Sequence, residues 1–176
     1  MTPRTKVGDI YKIPLPNDKK AYAQFLLKDR RQGNLIRVFD YFTHGKEEAD
    51  IDKIQKASLL FSPIYTSIKA ALKLHNWERI FNIPVKDFKF PNFLNTAFIL
   101  HDGKAGMWFL YDGEKDIPLG HTLAEKYKKL EFLCWYNPDL IVERIITGEK
   151  PQEELINTNI DSEYARNNPP HERRKI

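Results

Sequence analysis

Val7-Gly-Asp-Ile-Tyr-Lys-Ile-Pro-Leu-Pro-Asn-Asp-Lys-Lys-Ala-Tyr-Ala-Gln-Phe-Leu-Leu27 reads as two β-strands joined by a Pro-Asn-Asp turn. Tyr11, Ile13 and Leu15 fall on one face of the first strand. In the second, Ala21, Ala23, Phe25 and Leu27 alternate with Tyr22, Gln24 and Leu26, the period of two expected of an extended chain. Pro14 and Pro16 carry no N–H, so the first strand ends there or runs along a sheet edge. The turn Gln32-Gly33-Asn34 leads into a third strand, Leu35 to Phe42, and the three make a meander.

Outward from this hairpin, strand signals continue to dominate. His44 to Asp52 is polar and reads as a loop, and Ser58 to Tyr65 reads as a fourth strand with Pro63 at an edge or bulge. The period then changes. Ile68, Ala71 and Leu72 share a helical face behind Ser67, which predicts a capped helix to Leu74. After the irregular aromatic segment Phe88 to Phe93, a second hairpin is expected. Its strands are Thr96 to Leu100 and Met107 to Tyr111, with turn chemistry from Asp102-Gly103. Thr122-Leu-Ala-Glu125 matches a capping box and predicts a short helix to Lys129. Glu131 to Tyr136 reads as a strand. A helix follows, capped by Asn137, opened by Pro138 and stopped by Gly148.

These elements predict a β-rich α+β fold: a twisted antiparallel sheet or partly open barrel of about six to seven strands with two to three short helices. The chain of 176 residues, 41% hydrophobic and 12% aromatic, is sized for one domain with one sizeable core. The expected boundaries are a single domain over 1–156 and a polar tail over 157–176, disordered or loosely attached.

Charge and cysteine content exclude several classes. The net charge of +4, from 28 basic and 24 acidic residues, is too small to argue for nucleic acid, which needs basic residues concentrated on one surface. A single cysteine, Cys134, rules out an intrachain disulfide framework. It sits in the apolar run Phe132-Leu-Cys-Trp-Tyr136 and reads as an inert thiol. The first residues lack the apolar region of a secretion signal, and no apolar run approaches the roughly 20 residues of a membrane helix. A cytoplasmic protein with no membrane association is expected.

Catalytic signals are missing. There is no glycine-rich phosphate loop and no Gly-x-Ser-x-Gly elbow. His44, His75, His101, His121 and His171 are scattered without metal-ligand spacing. Three constellations stand out. In His75-Asn-Trp-Glu-Arg79, His75 could act as a base oriented by Glu78, but the preferred reading has Trp77 in the core and Arg79 paired with a carboxylate. Asp112-Gly-Glu-Lys-Asp116 lacks the ligand count of a calcium loop and reads as a solvated turn. Tyr22, Phe25, Arg37, Phe39 and Tyr41 interleave aromatic and basic residues as base-stacking surfaces do, but on alternating strands such rings line a core. No catalytic residue, cofactor or metal is expected.

The wording Gly8-Asp-Ile-Tyr-Lys-Ile-Pro-Leu-Pro16 followed by Ala21-Tyr-Ala-Gln24 resembles the Immunity protein 26 family of bacterial polymorphic toxin systems. The resemblance continues through Leu59-Leu-Phe61, Ile68 to Trp77-Glu-Arg-Ile80, Pro91-Asn-Phe93, Phe109-Leu-Tyr-Asp-Gly113 and Trp135-Tyr-Asn-Pro138, covering about residues 6–150. It implies a non-enzymatic protein that binds and neutralises a cognate toxin domain, and it supplies no catalytic set. Immunity proteins against nucleases are often acidic, since they mask a basic cleft. The basic balance here points to a toxin with an acidic or neutral face. By residue type and nearness to loops, the interface candidates are Arg30, Arg31, Tyr41, His44, Trp108 and Tyr111. A monomer is expected. The alternatives are a nucleic-acid-binding β-barrel module and an enzyme assembled from scattered Glu and His side chains.

Overall fold

The Pro-Asn-Asp turn folds as its chemistry demands. In the computed structural model, which describes residues 4–159, Asn17 and Asp18 both take positive φ (59° and 57°). Lys19 N–H closes the turn on the Pro16 carbonyl at 3.3 Å, the geometry that matches the twist of a two-residue hairpin. The turn joins β1 (Asp9–Pro14) to β2 (Lys19–Asp29), and β2 returns into β3 (Gly33–His44). These are the three strands of the expected meander.

Two units divide the chain. The first comprises the residues up to Lys89 together with Cys134–Glu149, and the second comprises Phe90–Leu133 and the residues from Lys150 on. The first unit adds α1 (Ile51–Lys56), β4 (Ile64–Thr66), α2 (Ile68–Leu74), β5 (Glu78–Asn82), β10 (Trp135–Tyr136) and α3 (Pro138–Thr147). Its six-stranded sheet runs β10-β4-β3-β2-β1-β5, antiparallel except for the parallel pair β10–β4. β2 is buried without a break from Ala21 to Leu26, as befits a central strand covered on both faces. On one face Tyr11, Ile13, Ala23, Phe25 and Val38 pack with Ile68 and Ala71 of α2, Trp77, and Ile141 of α3. On the other, Ile10, Tyr22 and Phe39 pack with Ile54 of α1 and with Ile83.

The second unit holds β6 (Phe93–Thr96), β7 (Trp108–Tyr111), β8 (Asp116–Gly120), a 3-10 turn at Glu125–Tyr127, β9 (Glu131–Phe132) and α4 (Glu153–Asn159). Its sheet runs β8-β7-β6-β9, with β6 and β9 parallel. Leu94, Ala105, Trp108, Leu123 and Ile156 form its core.

The α+β, β-rich class is as expected, and no closed barrel forms among the described residues. The count differs: the described residues form ten strands in two sheets. The expected strand Glu131 to Tyr136 is two strands of two residues that belong to different sheets, separated by Leu133 and Cys134. The expected strand Ser58 to Tyr65 narrows to β4, preceded by a single bridge between Leu59 and Phe39. The second hairpin starts earlier than expected, at Phe93, and past Thr96 its antiparallel pairing continues toward Leu100 only as a single bridge between Ile99 and Ala105. Thr122 does not cap a helix: the 3-10 turn has Ala124 at its N-cap, with no side-chain cap bond. Asn157 to Asn159, which the sequence assigns to the tail, complete α4. Residues 160–176, expected to be disordered or loosely attached, lie outside the described residues.

Candidate functional site

Polar side chains in the first unit bind strands together. Gln24 is buried in β2. Its Nε2 donates to the Ile83 carbonyl at 2.7 Å, and its Oε1 accepts from Arg37 Nε at 2.9 Å. The Arg37 guanidinium lies 5.2 Å from the Phe39 ring centroid. Burial lowers the Arg37 pKa, yet a guanidinium stays charged at any working pH. At the start of β1, Asp9 is buried; it accepts from Lys6 N, from Tyr11 OH at 3.2 Å and from Asn82 Nδ2 at 2.8 Å, and it faces Arg79 Nη1 at 3.5 Å. Burial is the largest cause raising the Tyr11 phenol well above the ordinary tyrosine range. Tyr22, whose hydroxyl meets Thr43 Oγ1 at 2.6 Å, is raised for the same reason.

An open groove of about 450 Å³ lies between residues 45–49 and β5, lined by Lys12, Lys20, Tyr22, Glu47, Glu78 and Arg79 among others. Three of its cations are engaged within the unit: Lys12 pairs with Glu78 at 2.5 Å, Lys20 donates to the Gly45 carbonyl, and Arg79 faces Asp9. That internal matching does not make an anion trap. Among the described residues, no three His, Cys, Asp or Glu side chains gather as metal ligands would.

The constellations singled out in the sequence resolve as structural features. Trp77 sits in the core. Arg79 faces Asp9, Glu78 pairs with Lys12, and His75 Nδ1 lies 2.7 Å from Asp139 Oδ1 rather than near Glu78. Asp112 accepts from the N–H groups of Lys115 and Glu114 at 3.0 and 2.9 Å, which closes a turn and lowers its pKa. Tyr22, Phe25 and Phe39 are buried and offer no stacking platform.

The four interface candidates of the first unit do not converge, and the two of the second are buried. Arg30 and Arg31 are exposed in the β2–β3 turn, where Asp29 Oδ1 accepts from Arg31 N at 2.6 Å. His44 is exposed at the opposite end of β3, roughly 35 Å away at the rise of an extended chain. Tyr41 is half-buried: its ring lies 5.3 Å from that of Tyr22, and its hydroxyl accepts from Asp50 N at 3.3 Å. Trp108 and Tyr111 are core residues, 0% and 2% exposed. The Trp108 ring meets Phe132 edge-on, and Tyr111 OH donates to the Gly113 carbonyl at 3.0 Å. The burial removes both rings from the surface where a partner would meet them.

Exposed large apolar side chains lie elsewhere and are scattered among the described residues: Leu74 is 74% exposed, Ile146 56%, Trp135 on the edge strand β10 49%, and three consecutive residues beyond β6 are open, Phe98 (54%), Ile99 (56%) and Leu100 (41%). Periodicity assigns Phe98 to Leu100 to a paired strand, which hides them.

These features define a β-rich α+β protein that displays apolar and aromatic side chains from ordered elements. The chain belongs to the Immunity protein 26 family, whose model matches residues 6–95, just over half of its length. The resemblance read further along, at Phe109 to Gly113 and Trp135 to Pro138, lies beyond the matched residues. No curated protein and no solved structure matches the chain. As a member of this family it is an immunity protein by class, which implies a toxin partner and suggests a non-enzymatic role. No helix among the described residues is long and apolar enough to cross a membrane.

Proposed function

We propose that this protein binds one cognate bacterial toxin domain in the cytoplasm and neutralises it as a monomeric, non-catalytic partner. The observation that carries the reading is the family match over residues 6–95. The physical requirements of the role agree with it. A neutralising protein needs an ordered scaffold that presents contact residues at little entropic cost. Here two sheets hold their connecting segments by backbone and side-chain hydrogen bonds. The candidates that stay at the surface, Arg30, Arg31 and His44, are charged or polar residues suited to the rim of an interface, where they steer encounter more than they add affinity.

The test is co-expression of the full chain with the toxin encoded beside it, followed by affinity capture. Restored growth and recovery of one equimolar complex are expected. Continued killing by the toxin, with the immunity protein folded and abundant, would overturn the reading.

A further inference from the structure

Burial of Tyr22, Phe25 and Phe39 removes the stacking platform that the sequence suggested, but it leaves Arg37 of that set half-buried and facing no carboxylate. Its Nε donates to Gln24 Oε1 at 2.9 Å, and its guanidinium lies 5.2 Å from the Phe39 ring centroid. Both supports are themselves fixed. Gln24 is buried and donates from Nε2 to the Ile83 carbonyl at 2.7 Å, and Phe39 is buried in the sheet face that packs on α1. One edge of the guanidinium is therefore held in place. The other edge, with both Nη groups, bonds no acceptor among the described residues and opens to solvent.

Two other cations of the unit, Lys12 and Arg79, each face a carboxylate, Glu78 and Asp9. Arg37 does not, and burial alone lowers its pKa, so its charge is desolvated with no opposite charge to offset the cost. A guanidinium does not escape that cost by losing its proton. Its free edge presents the two Nη groups as a fork, the geometry that takes a carboxylate through two parallel hydrogen bonds. Leu59, bridged antiparallel to Phe39, shares the sheet face of Phe39 and Arg37 and is 41% exposed. A nucleic-acid backbone is disfavoured, because Gln24, Phe39 and Leu59 add no second cation and phosphate binding draws on several. A second copy carries the same net charge of +4, which opposes self-pairing through a cation, whereas the immunity class implies a toxin partner.

We propose that Arg37 anchors the cognate toxin by receiving one of its surface carboxylates on the two Nη groups, with Leu59 as an apolar contact on the same face and Gln24 as the positioning residue for the guanidinium. The inference rests on the immunity reading and specifies a contact of that interface. A carboxylate docked there supplies the missing opposite charge to a side chain that is already ordered. Loss of such a pair shows mainly as faster dissociation.

The experiment measures affinity and dissociation rate of the cognate toxin domain, inactivated in its own active site, for the full-length protein and four variants. R37M removes the charge and is expected to bind roughly 100-fold more weakly, mostly through faster dissociation. R37K keeps the charge but not the fork, with an expected loss of about tenfold. Leu59 is exposed, so L59E and L59K read the charge of the occupant however R37M folds. L59E brings a competing carboxylate to the same face and is expected to lose about tenfold or more. L59K keeps an apolar stem and adds a cation, and is expected to stay within about threefold of wild type. Circular dichroism and thermal melting verify that each variant is folded. Wild-type affinity in folded R37M, or equal losses in L59E and L59K, overturns the anchor while leaving the immunity reading intact. No binding by the wild-type protein overturns both. Concentration-dependent dimerisation abolished by R37M, or salt-sensitive binding of a single-stranded oligonucleotide abolished by it, assigns the anion to a second copy or to phosphate and overturns the proposal.

Discussion

Gln24 joins strands that are distant in sequence: from β2 it reaches the Ile83 carbonyl beyond β5 and the Arg37 guanidinium on β3. Replacing it by Leu keeps the volume but leaves a buried carbonyl and a half-buried charged donor without their partner. A loss of about 2–3 kcal/mol is predicted, to be read from urea denaturation. Burial raises the pKa values of both Tyr11 and Tyr22, and the sign of the linkage follows. Above the ordinary tyrosine pKa of about 10, the unfolded chain releases phenolic protons that the folded chain retains. Stability is therefore full below that pH and falls as pH rises past it toward the raised folded values. Denaturation midpoints measured across this range should drop steeply, and the slope should be flatter in Tyr11→Phe. A pH-independent midpoint would contradict the burial of these hydroxyls. At this scale the sequence was least legible for the surface. It offers Trp108 as a contact residue and passes over Trp135, although both lie in strand-like runs. Only packing distinguishes the one enclosed by Leu94 and Leu123 from the one left on an edge strand.

Elements were legible where local chemistry is strong. Ser67 caps α2 by accepting from Ala70 N at 3.2 Å, and Asn137 caps α3 by accepting from Asp139 N at 3.2 Å. α3 ends at Gly148 with φ of 74°, as its position after Thr147 foretells. Asn137→Ala should cost about 1 kcal/mol, measured as a lowered melting temperature. α1 was hidden because only Ile54 of its six residues is buried; the available signal was Asp50, whose carboxylate accepts from Asp52 N and Lys53 N. β5 and β8 are edge strands of five residues each, with too little alternation to show a period of two. The start of β1 depends on Gly8. It has φ of 91°, and an added Cβ would stand 2.5 Å from the Ile83 carbonyl oxygen, where Ile83 N also bonds the Gly8 carbonyl at 2.9 Å. Gly8→Ala should destabilise by at least ~2 kcal/mol and expose the β5 edge to hydrogen exchange ahead of global unfolding. Unchanged protection of β5 amides would sink that account.

At the scale of the whole molecule, composition predicted a β-rich α+β chain, but not its division into two sheets. The crossing between sheets occurs within Leu133-Cys134, inside a run that reads as one continuous strand. Membership of the immunity class was legible through the family wording of the opening hairpin, which falls within the matched residues 6–95. The contact surface was not, because no wording in that hairpin marks which exposed side chains would meet a partner. The mildly basic balance, +4 over 176 residues, favours a toxin face that is neutral or acidic. If so, raising salt should slow association while leaving dissociation nearly unchanged. The most direct measurement is isothermal titration of the proposed cognate toxin domain, inactivated in its own active site, into the purified full chain. The account predicts saturable equimolar binding with a negative heat-capacity change from apolar burial. No heat and no complex at micromolar concentrations, with both proteins folded, would contradict it.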